Sequence, residues 1–185
     1  MTPGDRNQSA SDHFALALVG VDRPGIVATV TSGLAELGCN LEDVSTSLLR
    51  GHFAMVLVFS GAQVGDAEEI RRLLLARAAE FDLHLDVWPV GEAVSEGRTT
   101  HVLRLHGPDR IGIVASIAQV IAAHGASIRE MSCSRGEGPS PTYLVVLDLE
   151  LPAGASAEDL ERELAQTAAR LGLRLVLEAV PDDVL

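Results

Sequence analysis

The chain has 185 residues and a formal net charge of -12, set by 14 basic against 26 acidic side chains. Every basic residue is arginine, which excludes a lysine Schiff base and a phosphate loop of the Gly-Lys-Ser/Thr kind. The acidic balance also opposes the phosphate backbone of nucleic acid.

Residues 1–12 are polar and read as a flexible tail. They hold no apolar core like that of a signal peptide, and the longest mostly apolar run, Ile111 to Ala123, is too short to span a bilayer. A cytoplasmic protein with no membrane contact is expected. Phe14, Leu16 and Leu18 alternate with small residues, which predicts a strand. Asp22 is placed to cap the following helix, and Pro24 falls in its first turn. Ile26, Val27, Val30, Leu34 and Leu37 recur at helical spacing until Gly38, a C′ residue. Leu41 to Leu49 and Phe53 to Phe59 read as strands joined across Arg50-Gly51. Asp66 with Glu69 resembles a capping box, opening a helix with Ile70, Leu73, Leu74, Ala78 and Phe81 on its apolar face. Leu83, Leu85 and Val87 alternate in a closing strand.

The same order then returns. Gly107-Pro108-Asp109-Arg110-Ile111-Gly112-Ile113-Val114-Ala115 repeats Gly20-Val21-Asp22-Arg23-Pro24-Gly25-Ile26-Val27-Ala28, and the 87-residue register holds without a gap to Ser134, with 11 identities in 28 positions. Leu103 and Leu105 predict a strand, and Ile113, Val114, Ile117 and Ile121 a helix ended by Gly125. The hairpin through Arg135 to Pro141 is longer than its counterpart, and Tyr143 to Leu149 resumes the sheet. Ser156 and Asp159 open a helix buried through Leu160, Leu164 and Leu171 and ended by Gly172, before Leu173, Leu175 and Leu177. The predicted organisation is a tail at 1–12, a first domain at 13–90, a Gly-, Glu- and Ser-rich linker at 91–99 and a second domain at 100–185. Each domain is α+β, a βαββαβ ferredoxin-like layer of four antiparallel strands with helices on one face. Modules this small are expected to pack on one another or on a second chain, as a homo-oligomer.

The repeated motif falls on the turn from first strand to first helix, where unpaired N–H groups and the helix dipole can hold a carboxylate. Gly25 and Gly112 remove the Cβ that would keep a ligand off the backbone, or serve close packing alone. Asp22 and Asp109 can bind an ammonium group, or only cap a helix. Arg23 and Arg110 read as exposed partners of nearby carboxylates or as ligand contacts. Asn40 is a ligand contact or a residue that satisfies turn backbone. The six histidines form no helical ligand pair and do not recur, so neither metal nor cofactor is indicated. Cys39 reads as a small buried residue.

The pattern Gly-x-Asp-Arg-Pro-Gly-Ile-Val, a helix ended by Gly, then Asn-Leu-Glu-Asp and a strand, resembles the ACT domain, an amino-acid-sensing module. A tandem pair of this length is similar to the glycine cleavage system transcriptional repressor group. The resemblance implies ligands held between modules, contacted by the turn into the first helix and by the start of a neighbour's second strand. Those positions are Asp22, Arg23, Pro24, Gly25 and Ile26 with Asn40 and Leu41, and Asp109, Arg110, Ile111, Gly112 and Ile113 with Ser127 and Ile128. The copies differ where Pro24 becomes Ile111 and Asn40 becomes Ser127. The implied function is non-enzymatic: a sensor of a free amino acid that regulates through protein contact, with a DNA-binding regulator as partner and no direct nucleic-acid contact. The alternative is a small enzyme of the acylphosphatase type using Arg23 and Asn40.

Overall fold

A computed structural model of the protein describes residues 13–61, 66–91, 97–136 and 142–181. The predicted tail, most of the predicted linker and hairpin residues 137–141 lie outside the described residues. The chain divides into two compact units at Ser95–Glu96. The first contains β1 (His13–Val21), α1 (Ile26–Glu36), β2 (Asn40–Leu49), β3 (His52–Ser60), α2 (Ala67–Arg77), a 3-10 turn (Ala79–Phe81) and β4 (His84–Val90). The second contains β5 (His101–Pro108), α3 (Ile113–Ala123), β6 (Ser127–Arg135), β7 (Thr142–Glu150), α4 (Ala157–Leu171) and β8 (Arg174–Ala179). Each is a βαββαβ unit whose antiparallel sheet runs β2-β3-β1-β4 or β6-β7-β5-β8, the predicted ferredoxin-like layer.

Alternation along the central strands explains each core. Leu16, Leu18, Met55, Leu57 and Phe59 face Ile26, Val30 and Leu34 of α1 and Ile70 and Leu74 of α2, all buried. Leu103, Leu105, Val145, Leu147 and Leu149 meet Ile113, Ile117, Leu160 and Leu164 in the same way. Leu73 departs from its predicted face and is exposed, because Ile70, Leu74 and Ala78 already fill the stripe that α2 turns to the sheet. Leu83 precedes β4 and packs at the core margin.

The second helices are capped as predicted. Asp66 Oδ1 accepts from the Glu69 N–H at 2.9 Å, and Ser156 Oγ from the Asp159 N–H at 3.1 Å. The first helices are not. Asp22 does not cap α1, which opens at Ile26 behind Gly25, a left-handed residue with no side-chain cap. Gly112 opens α3 identically. The left-handed residue throws Asp22 and Asp109 out of capping register and leaves the first-turn N–H groups without a side-chain acceptor.

Beyond the hairpins the repeat register changes from 87 to 90, as the longer second hairpin requires. Gly20 pairs with Phe53 on β3 where Gly107 pairs with Tyr143 on β7. Both edge strands, β2 and β6, shift register near their starts, between Leu41 and Asp43 and between Ile128 and Glu130. Such a bulge re-aims the residues around it and interrupts pairing at an edge. No helix among the described residues is long and apolar enough to cross a membrane.

Candidate ligand-binding site

Each repeated turn lines a cavity. In the first unit Asp22, Arg23, Pro24, Gly25, Ile26, Val27, Ala28 and Phe53 surround about 490 Å³. In the second, Asp109, Arg110, Gly112, Ile113, Val114, Ala115 and Tyr143 surround about 450 Å³. Both are open to solvent. The turn is fixed to the sheet by the Asp22 N–H, which donates to the Gly51 carbonyl at 2.9 Å. Gly25 has φ of 101° and Gly112 of 89°, a conformation that side chains with a Cβ rarely adopt. The backbone conformation therefore explains the repeated glycine, whereas close packing explains Gly20 and Gly107 at the strand ends.

The aromatic wall is a part of the site that sequence reading missed. Phe53 and Tyr143 occupy equivalent sheet positions beside the turn. In sequence they stand 33 and 36 residues after Gly20 and Gly107, and only the strand register brings each to its glycine. The cross-strand partner of Phe53 is Leu48, and that of Tyr143 is Arg135. The Tyr143 hydroxyl hydrogen-bonds to Cys133, and this bond, with burial and the Cys133 and Asp109 charges behind it, holds its pKa up at about 12. Tyr143 is therefore neutral at any physiological pH.

The two aspartates have different surroundings. Asp109 Oδ2 lies 3.3 Å from Arg135 Nε. Among the described residues Asp22 has no ion-pair partner, since the residue equivalent to Arg135 is Leu48. Arg23 does not pair with a carboxylate as expected. Its Nη1 donates to the Glu80 carbonyl oxygen at 3.1 Å, covering the end of the 3-10 turn that follows α2. Arg110 turns to the corresponding place, with Nη2 3.8 Å from where a Cβ on Gly172 would stand. Pro24 lines the first cavity, whereas its counterpart Ile111 does not line the second and is wholly exposed. Ile26 and Ile113 turn inward as the first core residues of their helices.

Asn40 and Leu41 lie elsewhere in the unit. Asn40 pairs with Ser60 at one end of the sheet, while Val21, next to Asp22, pairs with His52 at the other. The 11 residues of α1 separate them, about 16 Å of helix. Ser127, opposite Glu150, and Ile128, opposite Leu149, stand equally far from Asp109. A site using both the turn and the start of β2 therefore needs two modules. The acylphosphatase alternative fails here, because Arg23 and Asn40 lie at opposite ends of α1 and cannot grip one phosphate.

The comparisons with known proteins agree with this architecture. Residues 13–88 and 99–178 each match the ACT domain. A UPF0237 protein of Methanopyrus kandleri is 40% identical over 72 residues, covering 39% of this chain and 79% of that protein. The glycine cleavage system transcriptional repressor of Escherichia coli is 33% identical over 75 residues, a match that takes in 40% of this chain and only 39% of the repressor. A solved structure of an unknown protein from Galdieria sulphuraria superposes with a TM-score of 0.79 at 24% identity, covering 92% of this chain and 99% of that one, and so shares the fold. With both of its units matched in tandem, the chain belongs to the ACT domain family.

Proposed function

We propose that this protein is a sensor of a free amino acid that regulates through contact with another protein. The observation that carries the reading is the repeated turn itself: a helix start with no side-chain cap, an aspartate beside it and an aromatic wall, around a cavity in each unit. The uncapped N–H groups and the positive helix end suit a carboxylate. Asp22 suits an ammonium group, and Phe53 an apolar side chain. Of the implied ligand residues, Asp22, Arg23, Pro24, Gly25 and Ile26, with Asp109, Arg110, Ile111, Gly112 and Ile113, belong to these turns. Asn40, Leu41, Ser127 and Ile128 would join a site only when a second module supplies them.

The likeness to the repressor supports amino-acid metabolism as the regulated process. The net charge of -12 disfavours direct contact with DNA, so transcriptional control would pass through a DNA-binding partner. A thermal-shift screen against the standard amino acids tests the reading, because a ligand at about 100 times its dissociation constant adds about 2.7 kcal/mol of stability. One or a few amino acids should raise the melting temperature, and Asp22→Asn should reduce the shift. A flat screen, or a shift that Asp22→Asn leaves intact, overturns it.

A further inference from the structure

Equivalent positions beside the two cavities, Leu48 and Arg135, carry different charge. Asp22 shares its cavity with Arg23, which is turned to the Glu80 carbonyl, and with Phe53, whose strand partner is Leu48, and it has no ion-pair partner among the described residues. Asp109 instead has Arg135 at 3.3 Å, and its aromatic neighbour is Tyr143, whose hydroxyl is engaged by Cys133. Both helix starts still offer unpaired N–H groups to a carboxylate.

We propose that the two units take different ligand classes, the first a carboxylate bearing an α-ammonium group and the second a small carboxylate that lacks one, such as a 2-oxo acid. This rests on the reading of the turns as carboxylate sites. An ammonium entering the first cavity finds an uncommitted Asp22. In the second it must displace Arg135 from Asp109 and then sit beside that guanidinium. A 2-oxo acid meets neither obstacle, and Arg135 adds positive charge that attracts its carboxylate. Arg135 and Asp109 are both partly open to solvent, so the discrimination is modest: about 1 kcal/mol for an exposed pair, or about fivefold in dissociation constant.

Titrations of the isotope-labelled full chain, followed by backbone amide shifts, read the two turns separately at Gly25 and Ile26 and at Gly112 and Ile113. Matched probes differ only at the α-position: glycine and glyoxylate, alanine and pyruvate, glutamate and 2-oxoglutarate. At the second turn the 2-oxo acid should bind about fivefold more tightly than its amino acid, and at the first the order should reverse. Arg135→Leu should give the second turn the preference of the first, and Leu48→Arg should do the converse. Both changes lie at solvent-exposed positions of edge strands, and the remaining amide shifts report whether the fold is kept. A second turn that prefers the amino acids, or a preference untouched by Arg135→Leu, overturns this proposal alone. If no probe moves either turn, the reading of the turns as carboxylate sites falls with it.

Discussion

Gly107 and Leu173 are in such close contact that a Cβ on the glycine would stand 2.7 Å from Leu173 Cδ2, 3.1 Å from its Cα and 3.0 Å from the Gly172 carbonyl oxygen. Gly20 and Leu83 repeat the contact at 2.6 Å, but there the backbone oxygen of Asp82 stays 3.5 Å away. A side-chain tip can rotate aside, whereas a backbone carbonyl at a helix end cannot. Gly20→Ala should therefore cost about 1 kcal/mol and Gly107→Ala about 2 to 3 kcal/mol. Urea unfolding of both variants, followed by hydrogen exchange in each unit, checks this. Equal losses would mean that the backbone at Gly172 yields as readily as a leucine methyl.

Tyr143 is the only tyrosine in the chain, so its ionisation can be read directly from phenolate absorbance. The titration should give a value about 12 in place of the ordinary 10.0. The folded state holds a proton that the unfolded chain releases. The contribution to stability is thus complete below pH 10.0 and is lost as pH rises towards about 12. Cys133→Ala removes the largest cause and should bring the value back towards 10.0. A titration at 10.0 in the unmodified protein would show that no such bond forms.

Glu36 and Arg77 join the ends of α1 and α2, with Arg77 Nη2 donating to Glu36 Oε1 at 2.6 Å. The hydrogen bond holds the Glu36 carboxyl below its ordinary value of 4.5. The contribution is therefore present above pH 4.5 and is lost as pH falls through the lower folded value. Trp88, the only tryptophan, lies in the same unit on β4 and reports its unfolding. Glu36→Gln should flatten the stability profile below pH 4.5 while changing it little under high salt at neutral pH. An unchanged acid limb would mean that the pair does not persist in solution.

What the sequence made legible was local or periodic. Leu16 and Leu18 alternate, Ile70 and Leu74 sit one turn apart, and Gly38, Gly125 and Gly172 take the left-handed conformation that ends a helix. Asp66 and Ser156 cap because nothing intervenes between them and the helix. Asp22 was misread because a left-handed Gly25 adds a turn before the helix, and a short polar residue near a helix start looks alike in either case. Phe53, Tyr143 and Arg135 escaped notice because only strand register brings them to the turn. The charge difference between Leu48 and Arg135 lies one residue beyond the gapless repeat, which ends at Ser134, and its meaning appears only with Asp109 in contact.

The separation of Asp22 from Asn40 makes the role of Asn40 open to a sharp test. A ligand on the first turn cannot touch Asn40 of its own unit, so any contribution must come through a second module. An Asn amide offers two donors and an acceptor there, where Ser127 offers one shorter hydroxyl. A hydrogen bond to a charged ligand group is worth about 1.5 to 3 kcal/mol, or roughly one to two decades in dissociation constant. Asn40→Ala should weaken amino-acid binding by that factor in calorimetry, and Ser127→Ala should change it little. The Asn40→Ala loss should also grow with protein concentration if the second module comes from another chain, and stay constant if it comes from the same one. An undisturbed Asn40→Ala isotherm would confine the site to the turn and leave Asn40 the task of starting β2 opposite Ser60.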